Sequence, residues 1–178
     1  MPELQHYSVG DFHRGRSLFV FVLWTILQPL LLTSWLPGSR HRHFLLRVFG
    51  ARLGVGAVIK PGVRVKFPWR LQVGAYTWIG EDVWIDNLAN VEIGSNCCLS
   101  QGAYLCTGSH DWSRIGFDLI RRPIRIENGA WIAAMASVGP GVTLGKGAVL
   151  TFGSVATSDL APWSIYSGNP ATFLRSRT

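Results

Sequence analysis

From residue 53 onward the aliphatic side chains return at every sixth position. Leu53, Ile59, Val65 and Leu71 fall six apart; after a slip of two, Val73, Ile79, Ile85 and Val91 do the same, and after another slip come Ile93, Leu99 and Leu105. Beyond an interruption the series resumes as Ile126, Ile132, Val138, Leu144, Leu150 and Ala156. Leu, Ile and Val are 46 of the 178 residues, so 17 random positions would hold about four or five of them, whereas this register holds 16. The period is therefore a property of the fold.

Companion positions repeat with it. Gly follows the aliphatic at Gly54, Gly74, Gly80, Gly94, Gly139 and Gly145, which predicts turns with backbone angles that favour glycine. Four residues after the aliphatic come small groups, among them Ala57, Thr77, Cys97, Ala103, Ala130 and Ala148. Six residues suit one short strand and a corner, and three such units make one triangular coil stacked on the next at roughly 4.8 Å. The expectation is an all-β, parallel β-helical prism over residues 51–178, with a loop inserted at 107–123 where Leu105 and Ile126 stand 21 residues apart.

Residues 1–50 read differently. Leu18 to Leu36 is a 19-residue stretch without a charge, interrupted by Gln28 and Pro29 and flanked by arginines on both sides. Three readings fit: a broken helix packed on the end or edge of the prism, a helix lying on an anionic membrane surface, or a membrane span close to the minimum length of about 20 residues. Phe44 to Phe49 predicts a second, short amphipathic piece leading into the first coil. The charge bears on these readings, because residues 1–70 carry ten basic and two acidic groups while residues 71–178 carry seven and eight. The excess of +7 belongs to the N-terminal appendage. With 48% hydrophobic and only 15% charged residues the chain is not disordered, and its length suits one domain. A pI near 9.9 comes without any nucleic-acid recognition motif, so no nucleic-acid partner is expected.

The interruption opens with Thr107-Gly108-Ser109-His110-Asp111-Trp112, and His110 is the only histidine after residue 43. Loops leaving a rigid scaffold are common seats of chemistry, and an imidazole, titrating near ~6.5, suits the acceptance of a proton at neutral pH. Asp111 or Asp118 would orient it through the other ring nitrogen. Cys97 occupies a small-residue slot and reads as core filler, while Cys98 and Cys106 fall at outward or corner positions. Three closely bunched cysteines indicate neither a disulfide framework nor a zinc site, and fit a reducing, cytoplasmic compartment. Cys106 is a nucleophile only in principle, since no group that would lower its pKa is visible.

The runs IGSNCCLSQGAYLCTGSHDWS, RPIRIENGAWIAAMASVGPGVTLGKGAVL and SGNPATFLR resemble the hexapeptide-repeat O-acetyltransferases of the maltose, galactoside and nodulation type. The resemblance is closest to the colanic-acid-biosynthesis acetyltransferases, and covers residues 45–178 strongly. It implies a left-handed parallel β-helix, a homotrimer with active sites between subunits, and acetyl-coenzyme A as co-substrate without a metal. His110 falls on the family's catalytic base, and Trp131, Ala134, Phe152, Thr157 and Arg175 on positions that line the coenzyme groove. Phe152 replaces a small residue and Ser158 a common lysine. An acceptor-site Asn of the family falls on Gly80 here, so the acceptor pocket is not copied; Asp82, Asp86, Asn87 and Asp111 are the nearby substitutes, with a corner role as the competing reading of Asp86 and Asn87.

The function implied is transfer of an acetyl group to a hydroxyl of a sugar or an exopolysaccharide precursor, with a lipid-linked oligosaccharide as the leading acceptor. The basic, apolar N-terminal segment, with residues 18–36 at its centre, would place the enzyme at the inner face of the cytoplasmic membrane. Competing readings are a non-enzymatic β-helical scaffold or binding module, and an acyltransferase with a non-sugar acceptor. A metal enzyme on the same repeat would need about three histidine ligands from the coils, and only His110 is available.

Overall fold

The computed structural model describes residues 2–178. Short parallel strands stack into three faces of a left-handed β-helical prism. Face 1 carries Arg52–Leu53, Leu71–Val73, Val91–Ile93, Ile124–Ile126 and Thr143–Leu144. Face 2 runs from Val58–Ile59 through Trp78–Ile79, Cys98–Leu99, Trp131–Ile132 and Val149–Leu150 to Ser164–Gly168, where Ala171–Ser176 turns back antiparallel. Face 3 carries Arg64–Val65, Trp84–Asp86, Tyr104–Cys106, Ser137–Val138 and Val155–Ala156. Sixteen of the 17 positions of the six-residue register are buried, and Leu53, on an edge strand, is half-buried.

The slips have a structural cause. Arg52 pairs with Gln72 and Gln72 with Glu92, giving coils of 20 residues, whereas Arg125 pairs with Thr143, a coil of 18. Each extra pair of residues lies at the edge between faces 3 and 1, and there two alternate residues of one strand point inward together: Leu71 with Val73, and Val91 with Ile93. The inserted loop leaves from the same edge one coil later. Glu92 pairs with Arg125, 33 residues on and so 13 more than the coil before it. A ladder of side chains holds this edge together. The buried Asn87 accepts from the Phe67 N–H at 2.9 Å and donates to the Phe67 carbonyl at 2.7 Å, and Thr107 Oγ1 donates to the Asp86 carbonyl at 3.1 Å.

The expected role of the glycines needs correcting. Gly54, Gly74 and Gly94, which follow the aliphatic, do not adopt positive φ. A Cβ at Gly74 would lie 2.5 Å from the carbonyl carbon of Gly94, so these residues are small because the next coil passes close by. Positive φ occurs two residues further on, at Gly56, Gly62, Gly102, Gly129, Gly147 and Gly153, and also at Tyr76, Asp82, Asn96 and Met135.

The N-terminal segment is a cap on the open end of the prism. Ser17 caps a helix, α1 (Leu18–Leu27), which runs on into a π-helical turn over Gln28–Leu32. Pro29 has no N–H to donate, and the widened turn closes with the Thr33 N–H on the Gln28 carbonyl at 3.0 Å. Edge strands need partners for their backbone groups. Gln28 Oε1 accepts from the Val65 N–H at 2.6 Å, Trp24 Nε1 donates to the Val65 carbonyl at 2.9 Å, and Ser39 Oγ accepts from the Ile59 N–H at 2.7 Å. Trp24 and Leu32 are buried, with Leu45, Leu46 and Phe49 from a second helix, α2 (Arg40–Val48), and its C-terminus. The apolar stretch is thus a broken helix packed on the prism, and no helix among the described residues is long and apolar enough to cross a membrane.

Candidate active site

His110 owes its position to a β-hairpin that period-six reasoning does not foresee. Within the inserted loop Gly108–His110 pairs antiparallel with Leu119–Arg121, and the Arg122 N–H returns the chain to the Thr107 carbonyl at 2.9 Å. At the end of its strand the half-buried imidazole stacks on Phe117 at 4.4 Å between centroids, only 2° from parallel. His110 Nδ1 lies 3.1 Å from the Phe117 carbonyl. A carbonyl only accepts, so Nδ1 carries the proton and Nε2 presents its lone pair; Nε2 has no hydrogen-bond partner among the described residues. The expected orienting carboxylate is therefore a backbone carbonyl. Asp111 is occupied elsewhere: its Oδ1 accepts from the Ser113 hydroxyl and N–H at 2.5 and 3.0 Å, which holds its carboxyl below the usual range. Asp118 lies 3.5 Å from Arg114.

Residues 2–16, with no repeat to announce them, form a strap across this hairpin. The Glu3 N–H bonds to the Ile115 carbonyl, Ser8 O accepts from the Leu119 N–H, and Asp11 pairs with Arg121 at 2.5 Å. The strap brings the Tyr7 ring to 5.6 Å from that of His110. Phe12 packs against Phe67, and the Arg70 guanidinium lies over both rings. The local signal was the alternation of Tyr7, Val9 and Phe12 with polar residues, which is too short to distinguish from a tail.

Outward-facing residues of face 3 lead toward this hairpin. Arg64 lies over the Trp84 ring at 4.6 Å, and Trp84 stacks on Tyr104 at 4.7 Å. Beside them Lys66 Nζ is 2.9 Å from Asp86 Oδ1, as a charge contact without hydrogen-bond geometry, and the Tyr104 hydroxyl donates to Asp86 Oδ2 at 3.4 Å. Burial first, then the neighbouring Cys106 and Asp86, push the Tyr104 phenol up and keep it protonated. Cys106 pairs in register with Asp86, and its thiol donates to the Gly108 carbonyl at 3.1 Å, an arrangement that favours the thiol over the thiolate. Cys97 is buried and pushed up by that burial.

The other predicted residues separate into groups. Asp86 stands at the edge from which the His110 hairpin leaves. Asp82, exposed in a positive-φ turn, is at the opposite end of the same face. Asn87 spends both ends of its amide on Phe67 and is fully buried, so no group of its side chain is left for an acceptor. Trp131 is 44% exposed on face 2, with its indole N–H on Ser100 Oγ at 2.9 Å. Ala134 and Phe152 stack at the edge between faces 2 and 3, where the Gly153 N–H bonds to the Ala134 carbonyl and Phe152 is 73% exposed. Exposed Met135, at φ +58°, belongs to the same edge. Thr157 lies across face 3, on the His110 edge, at most about 16 Å of extended chain from Phe152. Arg175 is exposed on the returning strand beside face 2, opposite Ile165. One chain thus holds the candidate base and most of the candidate coenzyme positions on different edges of the prism.

A prism of six-residue turns bearing a single histidine hairpin defines a class, the acyltransferases built on hexapeptide repeats. Comparison with known proteins agrees. The chain is 38% identical over 179 aligned residues to the "putative colanic acid biosynthesis acetyltransferase WcaF" of Escherichia coli, covering 99% of this chain and 98% of that protein. It is 32% identical to nodulation protein L of Rhizobium meliloti, over 72% of each chain. A hexapeptide-repeat acetyltransferase from Vibrio cholerae, solved with acetyl-coenzyme A, superposes with a TM-score of 0.84 over the whole of both chains at 26% identity. No protein-family model matches the chain. The chain belongs to the hexapeptide-repeat acetyltransferases.

Proposed function

We propose that the protein transfers an acetyl group from acetyl-coenzyme A to a hydroxyl of a sugar unit in an exopolysaccharide precursor carried on a lipid, with His110 as general base in a ternary complex. The observation that carries this reading is the His110 ring, locked by Phe117 with Nε2 free. Nε2 takes the hydroxyl proton as the oxygen attacks the thioester carbonyl; the carbon–sulfur bond then breaks, and the proton passes to the departing thiolate. A backbone N–H would steady the oxyanion, and joint binding of both substrates supplies proximity. Asp86, with Lys66 and Tyr104, is the acceptor-side candidate because it shares the edge of the histidine hairpin. The separation of His110 from Trp131, Ala134 and Phe152 favours a homotrimer in which one prism's histidine edge faces a neighbour's coenzyme edge. Thr157 and Arg175 would complete the groove for acetyl-coenzyme A, whose thioester supplies the activated acetyl group. Similarity to the colanic acid protein supports the acceptor class, and a peripheral contact of residues 18–36 with the membrane would hold the enzyme near such acceptors.

The test is consumption of acetyl-coenzyme A across a panel of sugars and oligosaccharide repeat units. His110→Ala should lower kcat by about 10²–10⁴ without loss of coenzyme A binding. Near-normal turnover of that variant, or an acetyl group trapped on Cys106, would overturn the mechanism.

A further inference from the structure

The cap has an outer surface that nothing in the chain covers. The inner side of α1 and its π-turn, with Trp24 and Leu32, lies on the prism. On the opposite side Phe19, Val22, Leu23, Ile26 and Leu30 follow one another at helical spacing, and Phe19, Ile26 and Leu30 are 75%, 54% and 62% exposed. A helix that is apolar all round belongs against something on both sides. The outer side of α2 adds Phe44 and Val48 between the exposed Arg40 and Arg47, and Arg14 and Arg16 stand just before α1. The loop between the helices presents Trp35 and Leu36, and is held from beneath by Arg42. Arg42 is fully buried, and its guanidinium donates to the carbonyls of Leu32, Ser34, Leu36 and Gly38, with no carboxylate among its partners.

The charge decides which occupant fits. Between residues 12 and 80 there is no Asp or Glu, and there are ten Lys or Arg. A second copy docking through this surface would set arginine against arginine with no carboxylate in either cap. An anionic lipid surface answers both features at once, taking the apolar stripe into the acyl boundary while the guanidinium groups meet the headgroups. We infer that the outer face of the cap, formed by α1, the Thr33–Gly38 loop and α2, is a docking surface for anionic phospholipid, with α1 lying in the plane of the membrane. This deepens the peripheral contact proposed for residues 18–36 by adding α2 and its arginines, and it is independent of the acetyl-transfer reading because vesicle binding needs no acetyl-coenzyme A.

The test is co-sedimentation of the full-length protein with vesicles of phosphatidylglycerol and phosphatidylcholine in equal parts, against vesicles of phosphatidylcholine alone. Binding to the mixed vesicles should be at least about tenfold tighter and should weaken with added salt. Phe19→Ser/Leu30→Ser should reduce it at least about tenfold, as should Arg40→Glu/Arg47→Glu; all four side chains are exposed, so the melting curve should not move. Absence of binding, equal binding to the two vesicle types, or undiminished binding by either double variant would overturn the inference. So would a fall in the solution mass of Phe19→Ser/Leu30→Ser with no change in vesicle binding, which would assign the stripe to a second copy.

Discussion

A methyl group added at Gly74 would sit 2.5 Å from both the Gly94 carbonyl carbon and the Ser95 nitrogen, where neither neighbour has a side chain that can swing away. Gly74→Ala should therefore destabilise the prism by about 1–3 kcal/mol, the usual range for overpacking, and lower the thermal midpoint by roughly 2–10 °C. Asn87 gives a complementary expectation. Asn87→Ala removes both bonds to the Phe67 backbone, leaving its buried N–H and carbonyl without partners, at about 1–3 kcal/mol for each group. It should lower the melting temperature while leaving the KM for the acceptor near its starting value; a selective rise in KM would restore a binding role. Both residues show what a linear pattern conveys. The period located the glycines and the corner, because burial and close packing act on every coil alike. It did not distinguish a glycine that is small for its neighbour from one that is free in φ, nor an amide turned inward from one turned outward, since those depend on contacts 20 residues away.

For the elements, the histidine hairpin and the cap loop are each organised by one side chain or one carbonyl. Phe117, at φ +47°, places its carbonyl on His110 Nδ1 and its ring on the imidazole. Phe117→Ala should keep the backbone bond but free the ring, lowering kcat by about tenfold while coenzyme A affinity holds, as steady-state kinetics with calorimetry would show. The loop was legible as an interruption containing a histidine, but a hairpin of three residues per strand has too short an alternation to read, and a carbonyl acceptor leaves no residue type to find. In the cap, His41 is held below its ordinary value of 6.5 by burial and then by the charge of Arg42, and its Nε2 is buried without a partner. Below 6.5 the unfolded chain takes up a proton that the folded chain resists. The stabilisation from neutral His41 is therefore complete above 6.5 and declines as pH falls toward the depressed folded value. Thermal denaturation between about pH 7.5 and about pH 5.5 should show a midpoint falling with acidification, and His41→Asn should flatten that slope.

On the scale of the whole molecule, the chain has two N-terminal devices with separate duties, and deletion can tell them apart. Removing residues 1–16 takes away the strap, with Tyr7 beside His110 and Asp11 on Arg121, but leaves α1 and α2 on the prism. Removing residues 1–48 strips the first coil of Trp24, Leu32, Leu45 and Leu46, and frees the edge N–H groups of Ile59 and Val65 and the Val65 carbonyl. Stacked-repeat proteins need such terminal caps, and a bare strand edge pairs with other chains. The shorter deletion should therefore give a folded protein of unchanged β content and reduced kcat/KM. The longer one should aggregate, instead of yielding a soluble enzyme merely detached from membranes. Size-exclusion chromatography and circular dichroism on the two truncated proteins would decide this. A soluble, monodisperse 49–178 fragment with full activity would show that the cap serves only as a contact surface. Aggregation of that fragment beside a folded 17–178 protein would show that the same apolar segment closes the repeat on its inner side and leaves only its outer side for a partner.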